Sequence, residues 1–167
     1  MKDIISVRRY DSPCGSLTLG SSGDRLCLCD WRCAKNPDRV VRSLESALNA
    51  VVEERQSAVL DRAASLLDRY FSGERVVFDV PLLFVGTDFR KIVWKELLGI
   101  PYGTTISYAA LSMRIGRPEA VRAVANAVAA NVMSIFVPCH RIVGSDGSLT
   151  GYRGGKAAKQ KLLDLEA

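Results

Sequence analysis

The chain of 167 residues contains a single histidine, His140. That scarcity excludes every two-histidine metal site and sends any imidazole chemistry through one position. No apolar run comes near the ~20 residues that a membrane-spanning helix requires. Residues 1–9 hold neither an apolar signal region nor a small-residue cleavage site, so a cytoplasmic protein without a membrane partner is expected. A glycine-rich phosphate loop, internal repeats and low-complexity segments are also missing. The five cysteines, Cys14, Cys27, Cys29, Cys33 and Cys139, form an odd set that reads as reduced thiols in such a compartment. Cys27 and Cys29 lie two apart on one face of an expected strand, and the set lacks the paired C-x2-C spacing of common structural zinc sites. Inert buried thiols are expected there, and no metal.

Hydrophobic residues at 48% and charged residues at 25% are ordinary for a globular protein, and the length allows one domain or two small ones. The net charge of +5 lies wholly in one half. Residues 1–80 carry 12 Lys+Arg against 12 Asp+Glu, whereas residues 81–167 carry 11 against 6. A modest basic excess usually means a solvated surface, but it also suits a phosphate-bearing partner.

The first half reads as a small α/β domain, residues 1–81. Strands are expected over 4–10 and 16–31, separated by turn-forming runs at 11–15 and 21–24. Apolar residues then recur at helical spacing over 37–50 (Val40, Val41, Leu44, Ala47, Leu48) and over 57–70 (Val59, Leu60, Ala63, Leu66, Leu67). Val76-Val77-Phe78-Asp79-Val80 reads as a further short strand, broken by Pro81. Nothing in this half forms a catalytic constellation.

The second half, residues 82–167, reads as mainly helical. A helix is expected over 88–98, closed by Gly99, followed by a turn-rich loop over 100–105. Ser107 is a suitable N-cap for a helix running through Ile115, and Gly116-Arg117-Pro118 ends it. A second helix follows over 119–130. Two short helices joined by a glycine-containing turn have the form of a helix-turn-helix. The second helix is built from alanine and valine, with Arg122 and Asn126 as its main polar residues. Two readings stay open for it: tight packing against neighbouring helices, or a small-residue face that enters a nucleic-acid groove with Arg122 projecting.

His140 directly follows Cys139 in Pro138-Cys139-His140-Arg141. A thiol becomes a useful nucleophile as thiolate, and a neighbouring imidazole or cation promotes that form. Pro138 fixes one backbone angle and presents the thiol from a constrained turn. Side chains adjacent in sequence diverge, so His140 is expected to act on the thiol through a water and to need a carboxylate that orients it. Spacing alone does not select that carboxylate.

Asn131 followed by Ser134-Ile135-Phe136-Val137-Pro138-Cys139-His140-Arg141-Ile142-Val143-Gly144-Ser145-Asp146-Gly147 resembles the active-site segment of the O6-alkylguanine-DNA alkyltransferases. So do Gly86-Thr87-Asp88-Phe89-Arg90, Val93-Trp94, Ile100-Pro101-Tyr102-Gly103-Thr104-Thr105-Ile106-Ser107-Tyr108, and the tail Leu149-Thr150-Gly151-Tyr152-Arg153-Gly154-Gly155 with Lys159, Leu162-Leu163 and Glu166. The likeness runs ungapped over residues 86–166. The first half is similar only through Asp11-Ser12-Pro13 and the strand pattern after it.

The resemblance implies a ribonuclease-H-like N-terminal α/β domain and a C-terminal helical domain with a winged helix-turn-helix-like DNA-binding motif and an active-site cysteine loop. It implies irreversible, single-turnover transfer of the alkyl group from O6-alkylguanine in double-stranded DNA, with O4-alkylthymine as a second candidate substrate, by a monomer without cofactor or metal. Cys139 would accept the alkyl group, His140 would deprotonate it through a water, Glu166 would orient His140, and Asn131 would brace the turn before the cysteine loop. Tyr108 would crowd the target phosphate and contact the base, and Arg122 would fill the gap left by the extruded guanine. Ala123, Asn126 and Arg141 would lie against the DNA. The carbonyls of Cys139 and Ile142 would read the guanine amine, and Tyr152, Arg153, Gly154 and Gly155 would form the lid of the pocket. Arg153 stands where some relatives have a small hydroxyl residue, and Val132 where many have proline. Base flipping explains why such parts are needed, since the alkyl carbon is out of reach of a thiolate inside the duplex. The competing readings are a non-catalytic alkylated-DNA-binding relative, which would lack the acceptor cysteine, a regulator with an alkyltransferase half, and an unrelated cysteine hydrolase, which would need a distant histidine.

Overall fold

The computed structural model describes residues 2–167. The chain divides into two compact units, residues 1–85 and 86–167. The sequence places the boundary after Pro81. Hydrogen bonds from Leu26 N to Pro81 O and from Leu83 N to Leu26 O, both 2.8 Å, keep the next residues with the first unit.

In the first unit, β1 (Asp3–Ser12), β2 (Gly15–Ser22) and β3 (Arg25–Trp31) form an antiparallel meander. Helix α1 (Pro37–Leu48) then crosses over and returns the chain as β4 (Ala50–Glu54), which pairs parallel to β1 and gives the order β3-β2-β1-β4. Strand β4 lies partly in the stretch read as the end of a helix. Asn49, at φ 48°, ends α1 in a left-handed cap, and the β-branched Val51 and Val52 then extend along β1. Helix α2 (Ala58–Phe71) starts where the Ser57 side chain accepts from Leu60 N. Its stripe of Leu60, Ala63, Leu67 and Tyr70, all fully buried, meets Ile5, Leu17, Leu19 and Leu26 of the sheet to form the core. The expected strand over 76–80 is absent. No neighbouring strand pairs with it; Phe78 instead packs its ring 5.6 Å from that of Tyr70, and Asp79 pairs with Arg62 at 2.5 Å. Cys27 and Cys29 are buried in β3, and burial pushes the Cys27 thiol up to about 12.

In the second unit, α3 (Asp88–Leu97) is capped by Thr87, and α4 (Tyr108–Arg114) by Ser107, whose hydroxyl accepts from Ala110 N at 3.0 Å. Helix α5 (Val121–Ala129) follows the turn at Gly116 and packs against α3 and α4. Its core side is Val124, Ala127 and Val128; Arg122, Ala123 and Asn126 are exposed. One face of this helix therefore packs tightly, and the other, with Arg122, is left exposed. Two-residue strands β5 (Ile106–Ser107) and β6 (Ile142–Val143) pair in parallel and tie the start of α4 to the end of the cysteine loop. Helix α6 (Lys156–Glu166) completes the unit. Among the described residues no helix is long and apolar enough to cross a membrane.

Candidate active site

The residues before the cysteine do not run as a strand. Asn131 Oδ1 accepts from Met133 N at 3.0 Å, Val137 N returns to Met133 O at 2.9 Å, and Ile135 sits at φ 75°. A β-branched residue there is strained, at a cost of about 1–3 kcal/mol, and such strain persists only where the surroundings fix it. Pro138 then leads into a 3-10 turn, Cys139–Arg141, which carries the thiol. Asn131 Nδ2 donates both to Val137 O, at 3.1 Å, and to Cys139 Sγ, at 3.2 Å. One side chain thereby braces the bend and contacts the sulfur.

Cys139 is 5% exposed, and burial holds its thiol above the ordinary value, against the opposing pull of the Asn131 bond and of Lys159 and Arg153. His140 is fully buried. Burial pushes its pKa down, opposed by its bond to Glu166, so the imidazole is neutral near pH 7. Its Nε2 lies 2.7 Å from Glu166 Oε2. A carboxylate accepts, so Nε2 carries the proton and Nδ1 is the basic nitrogen. Nδ1 is buried and has no hydrogen-bond partner among the described residues.

Glu166, at the end of α6, is held from three directions. Arg141 reaches it in a fork, Nε to Oε1 at 2.8 Å and Nη2 to Oε2 at 3.0 Å, and Gly103 N donates to Oε1 at 3.3 Å. Tyr102 OH donates to the neighbouring Leu165 carbonyl at 3.3 Å. Gly103, at φ 77°, has no room for a side chain, since a Cβ would stand 3.0 Å from Glu166 O. The turn-rich loop over 100–105 is thus the dock for the end of the chain.

Arg141 corrects the sequence reading, which placed it against DNA. It is 8% exposed, and its third nitrogen, Nη1, donates to Ile100 O at 2.7 Å, which leaves its guanidinium committed to the interior. The sequence gives Lys159 no role beyond its part in the resemblance. It is 1% exposed, and its Nζ donates to the carbonyls of Ile142, at 2.5 Å, and Thr150, at 3.3 Å. The signal that could have found it is its place on the apolar stripe of α6, with Ala158, Leu162 and Glu166. Tyr108 OH donates to the same Thr150 carbonyl at 3.2 Å. Tyr152, Arg153 and Gly154 are half-buried on the loop before α6, where Gly155 N closes a turn onto Tyr152 O at 3.0 Å. Cys139, His140, Glu166, Asn131, Ile142 and Lys159 are therefore brought together, and Tyr108 joins them through Thr150. Arg122, Ala123 and Asn126 are not in this cluster; they share the exposed face of α5.

Residues 88–167 match the family 6-O-methylguanine DNA methyltransferase, DNA binding domain, and residues 6–84 match 6-O-methylguanine DNA methyltransferase, ribonuclease-like domain. The chain belongs to the 6-O-methylguanine DNA methyltransferase family. Among its relatives is the methylated-DNA–protein-cysteine methyltransferase of Mycobacterium tuberculosis (strain ATCC 25618 / H37Rv), 41% identical over 163 residues, covering 98% of this chain and 93% of the relative. The constitutive methylated-DNA–protein-cysteine methyltransferase of Bacillus subtilis (strain 168) is 39% identical over 157 residues, covering 93% and 92%. The crystal structure of Mycobacterium tuberculosis OGT in complex with DNA superposes with a TM-score of 0.82 at 40% identity, covering 96% of this chain and 92% of that one. The two-domain methyltransferase fold, an N-terminal sheet domain and a C-terminal helical domain, is the one this chain adopts.

Proposed function

We propose that this protein repairs double-stranded DNA by taking the alkyl group from O6-alkylguanine onto Cys139, once per molecule. The observation that carries the reading is the buried Glu166–His140 pair, which leaves Nδ1 as a base with no partner among the described residues, next in sequence to a cysteine presented from a proline turn. A water on Nδ1 would take the thiol proton, and the ion pair with Arg141 keeps Glu166 an acceptor as the imidazole gains charge. The thiolate then displaces guanine from the alkyl carbon in one in-line step. A carbon–sulfur bond forms, the carbon–O6 bond breaks, and guanine leaves with the electron pair and is protonated. The thioether product is not reduced back by cellular thiols, so the acceptor is consumed. The presence of Cys139 disfavours a non-catalytic DNA-binding relative. A monomer needs no further group for this chemistry, and a cysteine set that reads as reduced thiols suits a reducing, cytoplasmic location.

DNA binding by the solved relative and the exposed Arg122, Ala123 and Asn126 on α5 support docking of this face against DNA. The stoichiometry is the direct test. Incubation with a duplex bearing O6-methylguanine should add a single methyl to Cys139 in the intact-mass spectrum, and turnover beyond one equivalent would sink the mechanism. Arg122→Ala should slow repair of the duplex by about 10-fold or more, since a wedge recovers part of the few kcal/mol that unstacking costs. It should leave reaction with free O6-benzylguanine nearly unchanged. Equal slowing on both would show that Arg122 has no part in flipping.

A further inference from the structure

Helix α6 brings two buried charges to the cysteine loop from one face. Glu166 meets His140, and Lys159, about two helical turns earlier, meets Ile142. The N–H of Ile142 closes the 3-10 turn onto the Cys139 carbonyl. Lys159 Nζ therefore grips the residue that caps the thiol's own turn. The two charges are answered differently. Glu166 has its counter-charge in Arg141. Lys159 is 1% exposed and donates to the carbonyls of Ile142 and Thr150, and among the described residues it forms no ion pair. A buried ammonium bonded only to neutral groups is costly unless an anion arrives.

The titratable and charged groups around the thiol are His140 and Arg141 on its own turn, Lys159 and Glu166 on α6, Tyr108 on α4 and Arg153 on the lid loop. Arg141 and Glu166 offset each other, His140 is neutral, and burial holds Tyr108 protonated. Arg153 is half-buried, where water screens its field, whereas Lys159 acts from the interior. Burial raises the Cys139 thiol, and the Asn131 bond and then Lys159 lead the pull back down. Burial lowers the Lys159 ammonium in turn, and the sulfur props it up.

We infer that Lys159 is a positioning residue for the transfer, the interior counter-charge that holds the acceptor sulfur as thiolate; the inference rests on the alkyl-transfer reading above. The steps balance. The thiol proton passes through the water to His140 Nδ1, which leaves a negative sulfur facing the ammonium. As the carbon–sulfur bond forms and the carbon–O6 bond breaks, that charge moves to guanine, which leaves with the electron pair and is protonated. Lys159 keeps its own proton throughout.

The test reads the titration of Cys139 from its rate of alkylation by iodoacetamide, followed by peptide mass, over about pH 5 to 10, a range that brackets a thiol. Lys159→Met fills similar space without the charge and should raise the midpoint by about one pH unit or more, the scale of a nearby opposite charge. Lys159→Gln, which keeps a donor for the two carbonyls, should raise it equally and serves where the methionine variant folds poorly. Lys159→Arg keeps the charge and should stay within about half a unit. Single-turnover methyl transfer from an O6-methylguanine duplex should be about 10-fold slower in Lys159→Met below the wild-type midpoint, and the two should converge above both midpoints. A midpoint is a position on the pH axis, so a smaller folded fraction does not move it. A midpoint unchanged in Lys159→Met and Lys159→Gln overturns the inference, and transfer slowed by one factor at every pH would then mark a purely structural lysine. A shift in Lys159→Arg as large as in Lys159→Met also overturns it, since charge would not be the cause. Wild type that takes no methyl from the duplex brings down the alkyl-transfer reading, whereas normal wild-type transfer with an unmoved midpoint brings down this inference alone.

Discussion

Cys139→Ser should reduce alkyl transfer to nothing detectable while DNA affinity stays within about twofold of wild type, as expected when a mutation removes only a transition-state group. Serine is the informative replacement because its hydroxyl can still accept from Asn131 Nδ2, which now donates to the sulfur at 3.2 Å. Alanine would leave that buried amide short of a partner, at about 1–3 kcal/mol, and would confuse chemistry with folding. The hydroxyl fails as a nucleophile here because a neutral imidazole in a desolvated site cannot hold an alkoxide in useful amount, whereas a thiol is far more acidic. Intact mass after incubation with O6-methylguanine duplex reads the transfer, and a gel-shift titration reads the affinity. A parallel collapse of binding would mean that Cys139 is a structural residue.

Glu166→Ala should have the second large effect, and on two quantities at once. Removal of the carboxylate leaves the Arg141 guanidinium buried without its counter-charge, which costs about 3–5 kcal/mol. At roughly 4–8 °C per kcal/mol for a domain of this size, the unfolding midpoint should fall by more than ~10 °C. The protein that remains folded should transfer methyl about 10²–10⁴-fold more slowly, because nothing then fixes the His140 tautomer with Nδ1 as the base. The double variant Arg141→Met, Glu166→Leu separates the two effects. Replacing the whole pair by apolar groups should restore much of the stability, yet leave transfer as slow as in Glu166→Ala. Full recovery of activity in that variant would show that Glu166 acts only through packing.

Much of the site was legible because its groups lie close in sequence or carry a distinctive motif. Cys139, His140 and Asn131 fall within ten residues, and local turn chemistry dictates their relation. The same holds for Ser107 as the cap of α4 and for the helical stripe of α2. Strand β4 goes unread in the sequence and the strand expected at 76–80 fails because strand formation depends on a partner: β1 has an open edge for Ala50–Glu54, and no strand pairs with the later segment. Arg141 was misplaced because an arginine in a basic half resembles any DNA-facing arginine until its neighbours are known.

By itself, then, the chain determined that any imidazole chemistry must run through His140, beside Cys139, and that a small-residue helix precedes them. Only the tertiary structure decided what surrounds them. It brought Glu166, 26 residues further on, to 2.7 Å from the imidazole, turned Arg141 inward to hold it, and buried Lys159 beneath the Ile142 carbonyl. The reason is physical. Nearest-neighbour conformational preferences act over a few residues, whereas the partner of a buried charge is chosen by which distant group the packed core brings within hydrogen-bond reach, once water is no longer there to take its place.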